Sequence, residues 1–316
     1  MRRSPWPLDT RSGGAVAARI LVLTLCLFVT PPAAHAQDLV PGAYTPGPVG
    51  FNVVTLVAGL NIGDVAFDPS LPVEDGRANI RGAAIGVGRS LSLAGRYANV
   101  GLVVPYVHGR VEGRLLGEFQ QVTRSGPGDV TARIAVNLYG ARAMSRKEFA
   151  AYRPSTVAGV SFVIGIPVGQ YFPDKVINIG TNRWSFKPEL GVSRTRGRWT
   201  FEGDLGAVFF TDNTNFRNGG LRGQAPIVTV QAHIIRTIRP GFWAAFDCNF
   251  WHGGRVTTNG VKATELQHNS RFGGTLAVPI RRQQVRISVS SGAYTRLGGD
   301  FTSIGVSYSY AWTTRQ

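Results

Sequence analysis

Residues 301–312, FTSIGVSYSYAW, alternate without interruption. Ile304, Val306, Tyr308, Tyr310 and Trp312 fall on one face of an extended chain, and Ser303, Gly305, Ser307 and Ser309 on the other. Such a strand separates an apolar medium from a polar one. The pattern recurs: residues 129–138 set Val130, Ala132, Ile134, Val136 and Leu138 against Thr131, Arg133, Ala135 and Asn137. In RWTFEGDLGAVFFTDN, Trp199, Phe201, Leu205 and Phe209 oppose Glu202 and Asp204, and the polar parity turns apolar at Val208 and Phe210. The other period-2 segments are 49–60, 79–92, 98–110, 155–166, 184–194, 227–237, 242–251, 268–278 and 284–294, giving about twelve strands in all.

No apolar run after the N-terminal region is long enough for a transmembrane helix. Strands that meet lipid must pair on both edges, because hydrocarbon leaves each open N–H and C=O unsatisfied. An even number of strands closed on itself meets that demand. The fold expected is therefore all-β, a transmembrane antiparallel up-and-down β-barrel of about twelve strands. A soluble β-sandwich or an extracellular barrel is the competing architecture. Long connections at 61–78, 111–128, 167–183, 211–226 and 252–267 alternate with short turns at Gly95, 195–198, 238–241 and 279–283, which predicts long loops outside and tight turns facing the periplasm. The connection 139–154 breaks the alternation, and its ARAMSRKEFAAYR core suits a brief helix. Trp184, Trp199, Tyr308, Tyr310 and Trp312 fall where interfacial girdles are expected.

The N-terminus reads as an export signal. Arg2, Arg3, Arg11 and Arg19 precede the apolar run 20–29, followed by Pro31, Pro32 and Ala34-His35-Ala36. The domains expected are a signal peptide, 1–36, cleaved before Gln37, and an outer-membrane barrel, 37–316. The signal carries four of the 34 basic residues and one of the 18 acidic ones, so the net charge falls from +16 to +13. The remaining charge is dispersed over turns rather than gathered on one face, which argues against a nucleic-acid partner. Cys26 leaves with the signal, and Cys248 is then alone, with no intramolecular disulfide and no Cys-based metal site open to it.

Four stretches resemble one family: DKVINIGTNRWSFKPELGVS (174–193), FFTDNTNF (209–216), QHNSRFGGTLAVPI (267–280) and GAYTRLGGDFTSIGVSYSYAW (292–312). They are similar to the family described as Putative MetA-pathway of phenol degradation, most clearly after Pro167. The resemblance implies an outer-membrane transporter and the passage of aromatic compounds; the passive channel reading calls for no cofactor.

On the strand parity, the lumen receives Arg133, Lys187, Glu189, Glu202, Asp204, Asp247, Asn249, Arg271 and Arg286. Lys187/Glu189 and Glu202/Asp204 fall on adjacent strands, so cross-strand charge pairing is expected. These side chains either line a solute path or form a salt-bridged plug in a narrow barrel. Asp174, Lys175, Asn178, Asn182 and Arg183 belong to a loop that is either an inward-folding gate or an ordered external loop. The oxygens of Asp212, Asn213 and Asn215 lack the spacing of a Ca²⁺ loop. His268 and Ser270 share a strand face, which raises a phospholipase-like enzyme, but a third orienting group at matching parity is missing. His108, His233 and His252 are scattered, without metal-ligand spacing. The function expected is passive uptake of small hydrophobic or aromatic molecules across the bacterial outer membrane, with no enzyme activity and no metal. Membrane lipids, lipopolysaccharide and a small solute are its partners. The rivals are the phospholipase-like enzyme and a structural or adhesive barrel with a closed lumen.

Overall fold

The computed structural model of the chain describes residues 41–66, 73–175, 177–281 and 283–313. The expected signal peptide, 1–36, lies outside them. The chain forms β1 (Phe51–Ala66), β2 (Val73–Leu93), β3 (Arg96–Leu115), β4 (Glu118–Pro127), β5 (Val130–Tyr139), a short helix α1 (Arg146–Ala151) and β6 (Thr156–Ile166). It continues with β7 (Ser185–Arg196), β8 (Trp199–Phe210), β9 (Asn213–Phe216), β10 (Gly220–Gln224), β11 (Ile227–Arg239) and β12 (Phe242–Gly253). The last elements are β13 (Val256–Thr258), β14 (Val261–Lys262), β15 (Gln267–Ile280), β16 (Gln283–Thr295) and β17 (Gly298–Thr313).

Twelve of these strands make an antiparallel ring in the order β1, β2, β3, β5, β6, β7, β8, β11, β12, β15, β16, β17. The ring closes where β1 pairs with β17, from Phe51 opposite Thr313 to Ala66 opposite Gly298. The apolar parity looks outward. Leu190, Leu205, Phe246, Ile287, Ile304 and Val306, drawn from strands all around the ring, are exposed, and so are the girdle residues Trp184, Trp199, Tyr308, Tyr310 and Trp312. An apolar surface encircling the whole wall belongs in hydrocarbon rather than water. The opposite parity is buried and polar: Glu202 on β8, His233 on β11, Asp247 and Asn249 on β12.

Several boundaries differ from the expectation. The connections 61–78 and 111–128 are largely strand. β1 and β2 run on to Asp64 opposite Arg77, and β3 and β4 meet in a two-residue turn at Leu116-Gly117, both with positive φ. The connections 211–226 and 252–267 carry β9, β10, β13 and β14, which form a separate four-stranded sheet at the outer end. The helix expected within 139–154 is present as α1. Ser145 caps it, accepting from Glu148 N, while the Glu148 carboxylate accepts from Ser145 N. Cys248 is free and half-buried on the outer face.

Candidate functional site in the barrel interior

The strand parity places all nine expected lumen residues on the inner face. Arg133, Lys187, Glu202, Asp247, Asn249 and Arg271 are buried, and Glu189, Asp204 and Arg286 are partly so. Asn249 is 0% and Asp247 1% exposed, so at this level side chains fill the barrel. The charges pair differently from the expectation. Lys187 Nζ meets Glu189 Oε1 at 2.7 Å within one strand, because residues i and i+2 share a face. Across β7 and β8, Glu202 faces Ser193 and Asp204 faces Gly191, so no cross-strand ion pair forms there. Ser193 Oγ instead donates to Glu202 Oε1 at 3.0 Å.

Further round the wall, His233 Nδ1 lies 2.7 Å from Asp247 Oδ1, and Thr275 Oγ1 donates to Asp247 Oδ2 at 2.7 Å. Arg271 Nη1 donates to Ser303 Oγ at 3.1 Å, and the Arg286 guanidinium stacks over Trp243 at 5.0 Å. His233 joins the interior because it stands opposite Glu202 in register and shares its inward parity. That parity was legible in the sequence, although its partner Asp247 was not assigned to it. Near the outer mouth Val208, Ile227 and Trp251 form an apolar cluster with Phe210 against it, so the inner face does turn apolar there.

The sequence reading missed the segment before β1. Residues 41–50 enter the barrel at the end that carries the tight turns. Val49 N donates to Met144 O at 2.8 Å and Gly50 N to Ser90 O at 3.0 Å, fixing the segment at the mouth. Deeper in, Gly42 N donates to Glu202 Oε2 at 2.6 Å, and Asn137 Nδ2 donates to Tyr44 O at 3.0 Å. The Tyr44 side chain is 3% exposed. Its ring lies against Gly159 of β6 and Gly191 of β7, which are register partners. A Cβ at Gly191 would sit 2.0 Å from Tyr44 Cε2, and one at Gly159 2.6 Å from Cδ1, so only glycine fits at either position. The Tyr44 hydroxyl donates to Ser161 Oγ at 3.3 Å, Ser161 donates to Glu189 Oε2 at 2.8 Å, and the Arg133 guanidinium lies 5.5 Å from the ring centroid. The available signal was a lone tyrosine in the Gly/Pro-rich PGAYTPGP together with two inward glycines on neighbouring strands.

Residues 85–222 match the family model described as Putative MetA-pathway of phenol degradation. An outer membrane channel from Pseudomonas putida F1, known from its crystal structure, is similar at a TM-score of 0.74 and 18% identity, covering 87% of this chain and 100% of its own. At that identity the likeness bears on the fold alone. The transport unit of the autotransporter AIDA-I from Escherichia coli reaches a TM-score of 0.49 at 10% identity, covering 96% of this chain and 98% of its own. No curated protein matches. The family match takes in the strings 174–193 and 209–216. Those at 267–280 and 292–312 lie beyond it, so the resemblance there has no support from the family model.

The loop 167–183 falls inside the family-matched stretch. Asp129, at the break between β4 and β5, accepts from Gly169 N at 2.9 Å, Thr181 N at 2.9 Å and Thr181 Oγ1 at 2.6 Å. Asn178 folds the loop on itself, accepting from Phe172 N at 2.8 Å and donating to Phe172 O at 3.0 Å and Lys175 O at 2.9 Å. Asn182 Nδ2 donates to the buried Asn213 at 2.9 Å. Arg183 donates to Gln224 and stacks over the inward Phe210 at 4.3 Å. Burial pushes the Arg183 guanidinium down to about 10, and the nearby Arg222 adds to this. Asp174 and Lys175 pair with each other at 2.5 Å on the exposed side; that hydrogen bond holds the Asp174 carboxyl below its ordinary value. Asn182 and Arg183 thus reach the inner rim, while Asp174 and Lys175 stay outside.

His268 Nδ1 lies 2.9 Å from His252 Nδ1 on the next strand, and Ser270 is buried at a bulge. Among the described residues, no group of three or more His, Cys, Asp or Glu is placed to hold a metal.

Proposed function

We propose that this chain is an outer-membrane channel for the passive uptake of small hydrophobic or aromatic molecules, closed at rest by its own N-terminal segment. The observation that carries the reading is the nature of the closure. The periplasmic half is filled by residues 41–50, a stretch outside the wall and held to it by a few hydrogen bonds rather than by strand pairing. The nine inner-face residues form the solute path, and Arg183 with Asn182 forms the outer gate. The description of the matched family, which names phenol degradation, supports an aromatic solute. The likeness of the wall to the Pseudomonas putida channel supports a channel fold. The dense packing around Asn249 and Asp247 favours a second reading, a structural barrel that conducts nothing.

Planar-bilayer conductance and solute uptake into proteoliposomes separate the two. The intact protein is compared with a chain lacking residues 37–48. The channel reading expects low conductance from the intact protein, a clear rise on deletion, and faster entry of a phenol-sized solute than into empty liposomes. If neither protein passes ions or solute, the structural barrel stands.

A further inference from the structure

We infer that the slot holding Tyr44 is a binding site for a small neutral phenol, and that the chain's own tyrosine is its tethered occupant. The inference rests on the channel reading for its role in transport, though not for its geometry.

Ring and tether are held by different groups. The backbone of the segment is fixed by Asn137, through Tyr44 O, and by Glu202, through Gly42 N. The ring is recognised by the wall alone. Two glycines, Gly159 and Gly191, leave flat backbone where a ring can lie, and any larger residue at either position fills that space. Arg133 supplies a cation above the ring at 5.5 Å. The hydroxyl meets a directed chain: Tyr44 O–H donates to Ser161, Ser161 donates to Glu189 Oε2, and Lys187 Nζ donates to Glu189 Oε1 at 2.7 Å. Because the ion pair engages Glu189 Oε1 and Ser161 spends its proton on Oε2, the Ser161 oxygen is left to accept. The slot therefore suits an O–H donor. A Cβ at Gly191 would also fall 2.3 Å from Asp204 Oδ1, so a second carboxylate borders the ring. With Glu189 behind Ser161 and Asp204 beside the ring, an aromatic carboxylate is disfavoured, while a neutral phenol meets an accepting oxygen and a cation.

The Tyr44 side chain is chemically 4-methylphenol. A free solute of that structure competes with a tethered copy whose effective concentration is in the millimolar range. Solute at or above that range displaces the tyrosine ring and leaves the segment to its backbone hydrogen bonds, so the species to be passed loosens the closure.

The test uses the full mature protein in detergent. Removing the occupant in Tyr44→Ala should expose the slot, with heat-modifiable gel mobility confirming a closed barrel. Calorimetric titration of this variant should show 4-methylphenol binding about tenfold more tightly than toluene, the margin expected of one buried hydrogen bond, and no binding of benzoate. Adding Ser161→Ala should erase the preference over toluene, and adding Gly191→Val should abolish binding. In the unaltered protein, hydrogen exchange of residues 41–50 should accelerate with 4-methylphenol and stay unchanged with benzoate. That arm decides the matter if Tyr44→Ala does not fold. Equal affinity for toluene, no binding of 4-methylphenol, or exchange that ignores it overturns the site. Conductance is read separately. Binding by a barrel that never conducts removes the channel and keeps the site, whereas conduction by variants that bind none of the three probes removes the site and keeps the channel.

Discussion

Asp129 accepts three hydrogen bonds from a single loop, and each of its partners lies at least forty residues further along the chain. Replacing it with alanine strands two loop amides. Asp129→Ala should speed hydrogen exchange at Gly169 and Thr181 by roughly tenfold, about 1.5 kcal/mol of local stability, with strand amides of β6 and β7 unchanged. A second residue-scale case lies inside the wall. The Lys187 and Glu189 side chains are 4% and 9% exposed, and removing one partner leaves a buried charge. Lys187→Met should destabilise the barrel by about 3–5 kcal/mol in urea, and Lys187→Met with Glu189→Met should recover most of it. The two cases differ in how far they were legible. Period-2 alternation places Lys187 and Glu189 on the inner face from the sequence alone, because local backbone geometry sets the parity. Nothing local announces the partners of Asp129 or Tyr44, because loop closure and plug docking are long-range events.

The strands that reach past the bilayer show why element ends were misread. Around 61–78 and 111–128 the chain carries Asp64, Asp75, Arg77, Arg110, Glu112 and Arg114, and these pair on the surface as Arg77–Asp64, Arg114–Asp75 and Arg110–Glu112. Above the membrane both faces of a strand meet water, so the apolar alternation that marks a spanning strand disappears while backbone pairing continues. Polarity there reports the solvent and not the backbone. The helix α1 was legible for the opposite reason, since Ser145 and Glu148 form a local capping box. The Ser145 N–H, then its hydroxyl, hold the Glu148 carboxyl below its ordinary value. Its contribution to the helix is therefore present above the unfolded carboxylate pKa of about 4.3 and is lost as pH falls through the lower folded value. The protection factor of the Tyr152 amide, whose N–H bonds Phe149 O at 3.1 Å, should fall across that acid range once the intrinsic exchange rate at each pH is divided out. In Ser145→Ala the Glu148 carboxyl, followed by NMR, should titrate closer to its ordinary value without reaching it, because the backbone N–H remains.

At the scale of the whole molecule, ring closure ties the first strand to the last, and the same substitution on β17 should have two outcomes according to the solvent at that height. Ser307 pairs with Val57 of β1 on one side and Arg286 of β16 on the other, in the band where Val306 and Tyr308 face lipid. A proline there removes a ladder hydrogen bond that hydrocarbon cannot replace, at a cost of several kcal/mol. Asp300 pairs only with Asp64, beyond the last β16 partner and beside the exposed Arg77–Asp64 ion pair. Water there can satisfy whatever a proline leaves open. Ser307→Pro should therefore fail to give a heat-modifiable barrel on refolding into lipid vesicles, while Asp300→Pro refolds at close to the unaltered yield. Equal yields from the two variants would mean that the wall around Ser307 meets water, and with that the lipid-facing reading of the whole ring would fall.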